Sequence, residues 1–240
     1  ISTNNYSNNM HTSFSIVIPV YNEEKNIDIL LNEINQIFID HKKLEIIVVN
    51  DFSNDQTLKI LNNYSLNIKL KIINNSKNFG QSYSIREGVK KSKYNLIATL
   101  DGDGQNDPLD LIKLIKIYNL NNLKFISGIR TKRKDTYIKI YSSKIANSVR
   151  NYFLNDDCKD TGCGIKLFDK ISFLNLPYFN GMHRFYPALF KAYGFKCDFV
   201  EVNHRKRNYG ISKYGTFGRL FKSLFDLIRV IYIIKKKNNA

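Results

Sequence analysis

The sequence predicts an α/β domain, a mostly parallel β-sheet flanked by helices, with a C-terminal amphipathic helix after it. Three observations carry that expectation. Apolar runs of six or seven residues alternate with segments of helical period. The runs are continuously apolar, as strands covered on both faces are, and do not alternate inward and outward. Polar residues follow several of them directly, and in such sheets ligands sit beyond the carboxyl ends of the strands.

In chain order, "FSIVIP" (14–19) reads as a buried strand. A helix is expected from Glu23 to about His41, with Ile27, Leu30, Leu31, Ile34, Ile37 and Phe38 on one face and Asn22 as its N-cap. "LEIIVV" (44–49) is a second strand, and "SNDQTLKILNNY" a capped helix after it. "IKLKII" (68–73) and "YNLIATL" (94–100) are the third and fourth strands, separated by the helix "GQSYSIREGVKKS". Asp107-Pro108 opens a further helix with Asp as N-cap and Pro at N1, and "KFISGI" (124–129) is the next strand. The second half is less regular. A basic helical stretch over about 136–154 precedes "CKDTGCGIKLFD", "GMHRFYPALFKAYG", a strand "CDFVEVNHR" and the loop "RKRNYGISKYG". The end, "TFGRLFKSLFDLIRVIYIIKKK", sets Phe221, Leu224, Phe225, Ile228 and Tyr232 opposite Arg219, Lys222 and Lys235–Lys237. The expected division is a disordered tail over 1–13, one domain over 14–215, and the amphipathic helix with a basic tail over 216–240.

Composition narrows the function. A chain with 43% hydrophobic and 13% aromatic residues is globular. The net charge of +16 points to a polyanionic partner such as phosphorylated substrates, an anionic membrane surface or nucleic acid. No aromatic-studded surface or recognised module supports nucleic acid, which leaves a basic phosphate- or nucleic-acid-binding protein without catalysis as a remote alternative. Three cysteines without zinc-finger spacing suggest reduced thiols in a cytosolic compartment. No stretch reaches the roughly 18 apolar residues of a membrane span, and the polar start carries no signal-peptide core. The expected location is cytoplasmic, peripheral on the cytoplasmic face of a membrane.

The chemistry concentrates in "LDGDGQNDP". Asp101 and Asp103 are spaced i, i+2 at the end of an apolar run, so both can face one point, with Gly102 between them and Gln105 just beyond. Few oxygen ligands at a strand-end pocket suit Mg²⁺ or Mn²⁺, which keep positions for substrate phosphates. Tyr21-Asn22-Glu23, Asn50-Asp51 and Asn78 follow other strands and gather at the same edge. Asp51 is placed to accept hydrogen bonds from a base or ribose. Arg205, Lys206, Arg207 and Lys213, with Gly210 and Gly215, suit a clamp on phosphate oxygens. "RTKRK" (130–134) is similar but less specific. His183 reads as a base or a core histidine, and the absence of a visible partner acid favours the core. Asp160 reads as a turn former or as a carboxylate facing the acceptor. An Asp-x-Asp-Gly strand end also resembles the haloacid-dehalogenase-type phosphatases, but those carry it on their first strand and usually have Thr or Val where Gln105 stands.

Taken together, "SIVIPVYNEEKNI", "IIVVNDFSNDQT", "NFGQSYSIREG", "LDGDGQNDP", "DTGCGIKLF" and "RNYGISKYG" resemble the family 2 glycosyltransferases over roughly residues 14 to 230. The branch they resemble most is that of dolichyl-phosphate mannose synthases and polyprenyl-phosphate sugar transferases. The resemblance implies a GT-A, Rossmann-like fold and a metal-dependent, inverting transfer from a nucleotide-sugar donor to a lipid phosphate acceptor. The implied donor is GDP-mannose and the acceptor a polyprenyl or dolichyl phosphate, with UDP-glucose, another donor or a saccharide acceptor as the alternative. It implies that Pro19, Tyr21, Glu23, Val49, Asp51 and Gly102 hold the nucleotide, and that Asp101, Asp103 and Gln105 bind the metal. Arg130 would lie near the sugar or acceptor, and Arg207 with Lys213 would grip phosphates. Asn50 stands where many members have a first Asp, and Phe52 where many have Gly.

Overall fold

The computed structural model describes residues 12–65, 67–130, 148, 150–206 and 216–239. Seven strands, β1 (Phe14–Val20), β2 (Leu44–Asn50), β3 (Lys69–Asn74), β4 (Leu96–Thr99), β5 (Phe125–Arg130), β6 (Lys166–Asp169) and β7 (Cys197–Val202), form one sheet in the order β3-β2-β1-β4-β6-β5-β7. β1 to β4 pair in parallel, as do β5 and β7. β6 is antiparallel to both of its neighbours, β4 and β5. Two reversals restore the direction, so β5 and β7 point the same way as β1 to β4. The carboxyl ends of those six strands and the start of β6 therefore share one edge of the sheet.

The pleat sorts side chains into two cores. From β1, Phe14, Ile16, Ile18 and Val20 face helices α1 (Ile27–Ile37), α2 (Thr57–Asn62) and α4 (Asp110–Leu120), meeting Leu30, Ile34, Leu61 and Leu114. Val17, with Ile47 and Val49 of β2, faces α3 (Gln81–Lys91), α5 (Lys170–Leu174), α6 (Tyr186–Ala192) and α7 (Thr216–Asn238). Every residue of β2 is buried, as the unbroken apolar run required. The mostly parallel, helix-flanked sheet is thus the one expected.

Local boundaries differ for identifiable reasons. α1 starts at Ile27, not Glu23, because Asn22 adopts φ +52° and turns the chain first. Asn22 does not cap α1. Its Oδ1 accepts the Asn54 N–H at 2.9 Å and ties the loop after β1 to the loop after β2. α4 starts at Asp110 rather than Pro108, and Asp107 Oδ1 accepts the Leu109 N–H in the turn that leads in. β6 was not expected as a strand, being only four residues long. Of the basic stretch 136–154, residues 148 and 150–154 are described, and they are helical.

α7 has two apolar faces. Leu227 and Val230 are buried against the domain, and Asp226, also buried, pairs with Arg184 at 2.6 Å. Leu224, Phe225, Ile228 and Tyr232 are exposed. Among the described residues no helix is long and apolar enough to cross a membrane.

Candidate active site

β4 carries the chain out of the core into Asp101-Gly102-Asp103. The turn is shaped by Asn106, whose Oδ1 accepts the Asp101 N–H at 2.9 Å, and by Asp103, whose Oδ1 accepts the Gln105 N–H at 3.2 Å. Gln81, at the start of α3, donates through Nε2 to Asp101 Oδ1 at 2.9 Å. Gly164 passes so close that a Cβ there would stand 2.3 Å from Asp101 Oδ2. Burial and the neighbouring Asp103 carboxylate push the Asp101 carboxyl up to about 6, against the pull of Lys166 and Arg130.

Two neighbouring carboxylates at one strand end are oxygen donors of the kind that hard divalent cations take. Among the described residues no group of three or more His, Cys, Asp or Glu forms a closed metal cage. That donor set fits Mg²⁺ or Mn²⁺, which bind through one or two carboxylates and take further ligands from phosphates and water. Gln105 can add only its amide oxygen. Its Nε2 is turned to the Arg205 carbonyl at 3.3 Å and lies 3.4 Å from His204 Nε2.

Along the same edge, Asp51 follows β2 and is buried. Its Oδ1 accepts from Asn75 Nδ2 at 2.8 Å and from the Phe79 N–H at 2.9 Å, and its Oδ2 from the Gly80 N–H at 2.8 Å. Gly80 is at φ +90°, a conformation that glycine adopts without strain and that presents its N–H to Asp51. Asp51 therefore fixes the loop that launches α3 and Gln81. Asn75, not the exposed Asn78, is the polar residue that turns inward after β3. Glu23 is buried and accepts from Asn26 Nδ2 at 2.8 Å. Tyr21 is half-buried in the loop after β1.

Pro19 lines a cavity of about 160 Å³ beside Asp101, together with Gln81, Gly164, Lys166 and His183. The structure does not bring the Val49 side chain to this edge, since it is fully buried in the core beneath α3. Gly102 packs on β1, where a Cβ would stand 2.6 Å from Val20 Cγ1.

Arg130 ends β5 and is gripped in bidentate fashion by Asp160, with Nε at 2.7 Å and Nη2 at 2.8 Å. Burial works against its charge, but the Asp160 carboxylate outweighs it and holds the guanidinium firmly protonated. Asp160 thus faces Arg130 as a partner. A second buried pair, Arg150 with Asp156, also reaches Thr161 and the Cys158 carbonyl, so the segment before β6 is stitched down along its length. Arg205, just past β7, binds Glu33 of α1 at 2.7 Å and Asp107 at 3.0 Å. Arg207 and Lys213, and residues 131–134 of "RTKRK", lie outside the described residues.

Sequence reasoning missed Lys166, Gln81 and Asn106. Lys166 is buried at the start of β6, level with Thr99 of β4, and donates to the Cys163 carbonyl. Gln81 lay inside the quoted motif "NFGQSYSIREG", the one signal that could have found it.

A parallel sheet whose strand ends bring paired carboxylates, a buried acid and basic groups to one edge is the architecture of GT-A enzymes. It is shared with glucosyl-3-phosphoglycerate synthase from Mycobacterium tuberculosis, solved with Mn²⁺, UDP and glucosyl-3-phosphoglycerate. That likeness has a TM-score of 0.71 at 13% identity and covers 98% of this chain and 84% of the other, so it speaks for the fold. The chain belongs to glycosyl transferase family 2, which it matches over residues 15–175, and is a glycosyltransferase. It is 30% identical over 229 residues to a dodecaprenyl-phosphate galacturonate synthase of Rhizobium johnstonii, covering 93% of this chain and 68% of the relative. It is 28% identical over 220 residues to an undecaprenyl-phosphate 4-deoxy-4-formamido-L-arabinose transferase of Pectobacterium carotovorum, covering 89% and 66%. The chain spans about two thirds of the length of these curated relatives.

Proposed function

We propose that this domain transfers a sugar from a nucleotide-sugar donor to a polyprenyl phosphate, with inversion at the anomeric carbon. The observation that carries the proposal is the convergence of Asp101, Asp103, Arg130 and Lys166 on one sheet edge, in a chain whose relatives are named for polyprenyl-phosphate products. Asp101 and Asp103, with Gln105 as a further oxygen donor, are the residues to hold Mg²⁺ or Mn²⁺. When bound, the ion neutralises charge on the departing nucleoside diphosphate. Asp51, Glu23, Tyr21 and Pro19 are the residues proposed for the base and ribose. Arg207 and Lys213 are proposed to hold phosphate oxygens.

An acceptor phosphate oxygen bonds to the anomeric carbon as the bond from that carbon to the donor's β-phosphate oxygen breaks on the opposite side. A phosphate monoester has its second pKa near ~6, so it arrives largely anionic and needs no strong base. Lys166 and Arg130, the basic groups acting on Asp101, favour the accumulating negative charge. For the donor, UDP is present in the Mycobacterium tuberculosis neighbour, which supports a UDP-linked sugar ahead of the GDP-mannose expected from the sequence. The exposed apolar face of α7 and Lys235–Lys237 favour work at an anionic membrane surface on its cytoplasmic side.

The test is a thermal-shift panel of UDP- and GDP-sugars, each with and without Mn²⁺ or Mg²⁺, followed by transfer to polyprenyl phosphate. Metal-dependent stabilisation by one donor and formation of the lipid-linked sugar are the expected results. Asp103→Ala should lower turnover by at least about 100-fold, a loss typical of removing a transition-state electrostatic group. It should leave the melting temperature of the metal-free chain within a few degrees of wild type. Full activity in that variant removes the metal assignment.

A further inference from the structure

Gln81 is the first residue of α3, and the chain is held on both sides of it. Before it, the Phe79 and Gly80 N–H groups donate to buried Asp51, and Gly80 carries the turn at φ +90°. After it, Ser82 is fully buried, and its Oγ accepts the Gly181 N–H at 3.1 Å. From this fixed backbone the Gln81 side chain crosses to the end of β4, where Nε2 donates to Asp101 Oδ1 at 2.9 Å.

Three contacts constrain Asp101. Asn106 holds its backbone N–H, Gln81 holds Oδ1, and Gly164 passes beside Oδ2 with no space for a side chain. The basic groups nearby are directed elsewhere. Arg130 grips Asp160, and Lys166 donates to the Cys163 carbonyl. The side chain that hydrogen-bonds the Asp101 carboxylate is thus a neutral amide. A neutral donor orients a carboxylate without cancelling its charge, whereas a cation in contact offsets that charge.

We propose that Gln81 is a positioning residue for the divalent ion, its amide N–H holding the Asp101 carboxylate in the orientation offered to that ion. This rests on the metal reading above. A group that hydrogen-bonds a metal ligand from behind sets its orientation, and losing such a group typically lowers metal affinity about 10–100-fold. Asp51 gains a second part in the site by the same route. Both N–H groups it binds belong to the two residues before Gln81. The acid after β2 therefore supports the acid after β4 through residues 79–81.

The experiment titrates the whole chain with Mn²⁺, alone and with UDP or GDP, and follows unbound Mn²⁺ by electron paramagnetic resonance. Gln81→Met keeps the length of the side chain and removes its N–H, and Gln81→Ala removes both. Each should weaken Mn²⁺ binding about tenfold or more, while the metal-free melting temperature falls by no more than a few degrees. Turnover should return to the wild-type rate at saturating Mn²⁺, because the ligand is misplaced and not missing. Unchanged Mn²⁺ affinity in Gln81→Met overturns the assignment, since the N–H is then not what holds Asp101. A collapse of the metal-free melting temperature in both variants overturns it too, as does turnover that stays low at saturating Mn²⁺. In each of those cases Mn²⁺ binding by the wild type keeps the metal reading intact. A wild-type chain that takes up no Mn²⁺ with either nucleotide removes that reading and this inference with it.

Discussion

Phe52 sits directly after Asp51 with φ +65° and a ring that is 53% exposed. A side chain in the left-handed region costs about 1–2 kcal/mol, and a ring this open recovers little of that by burial. Glycine at this position would need no such strain. Phe52→Gly gives back about 0.5–1 kcal/mol through the greater freedom of the unfolded chain. The expected variant is as stable as wild type or up to about 1 kcal/mol more stable, read from the urea midpoint at constant slope. A fall of that size or more would mean that the ring packs in solution. At this scale the sequence told acids from neutral groups well. Asp101 and Asp103 are delivered by an apolar strand next to them, so short-range pattern suffices. Lys166 was hidden because its closeness to Asp101 comes from the pairing of β6 with β4, more than sixty residues apart in the chain. Asn75 and Asn78 look alike in a string of polar residues, and only the end of β3 at Asn74 decides which one turns inward.

Among the elements, α7 shows why an amphipathic pattern did not choose between packing on the domain and lying on a membrane. Its buried face, Leu227 and Val230, and its exposed face, Leu224, Phe225, Ile228 and Tyr232, are both apolar. One helix therefore has apolar surface for two neighbours. Phe225→Asp with Ile228→Asp alters only the outer one. The expected outcome is loss of sedimentation with anionic lipid vesicles, with no loss of melting temperature and unchanged nucleotide binding. Retained vesicle binding would shift the contact elsewhere. Helix starts were the least legible part of the pattern. Asn22 and Asp107 have the chemistry of caps, yet each serves a turn before the helix, and that depends on backbone torsions the pattern does not contain.

Across the whole molecule, all seven strands lie in one sheet, and both cores press on that sheet from opposite sides. Among the described residues, strands β1 to β4 and the later strands β5 to β7 share both cores and have none apart to melt separately. A single thermal transition is expected by fluorescence and by calorimetry, with calorimetric and van't Hoff enthalpies in agreement. Two resolved transitions would divide the domain. The alternation of apolar runs made the parallel frame readable, whereas the reversed strand was not, because four residues with polar ends leave too short a signal. That reversed strand has a further effect. β5 leaves the sheet at Arg130 and β6 enters it at Lys166, both at the edge to which β4 delivers Asp101. The described chain that leads into β6, residues 150–165, is pinned by the pairing of Arg150 with Asp156 and by the hold of Asp160 on Arg130. Gly162 and Gly164 in this return leave no room for a Cβ beside Arg130 and Asp101, so the chain entering β6 is held to glycine by the very groups it passes.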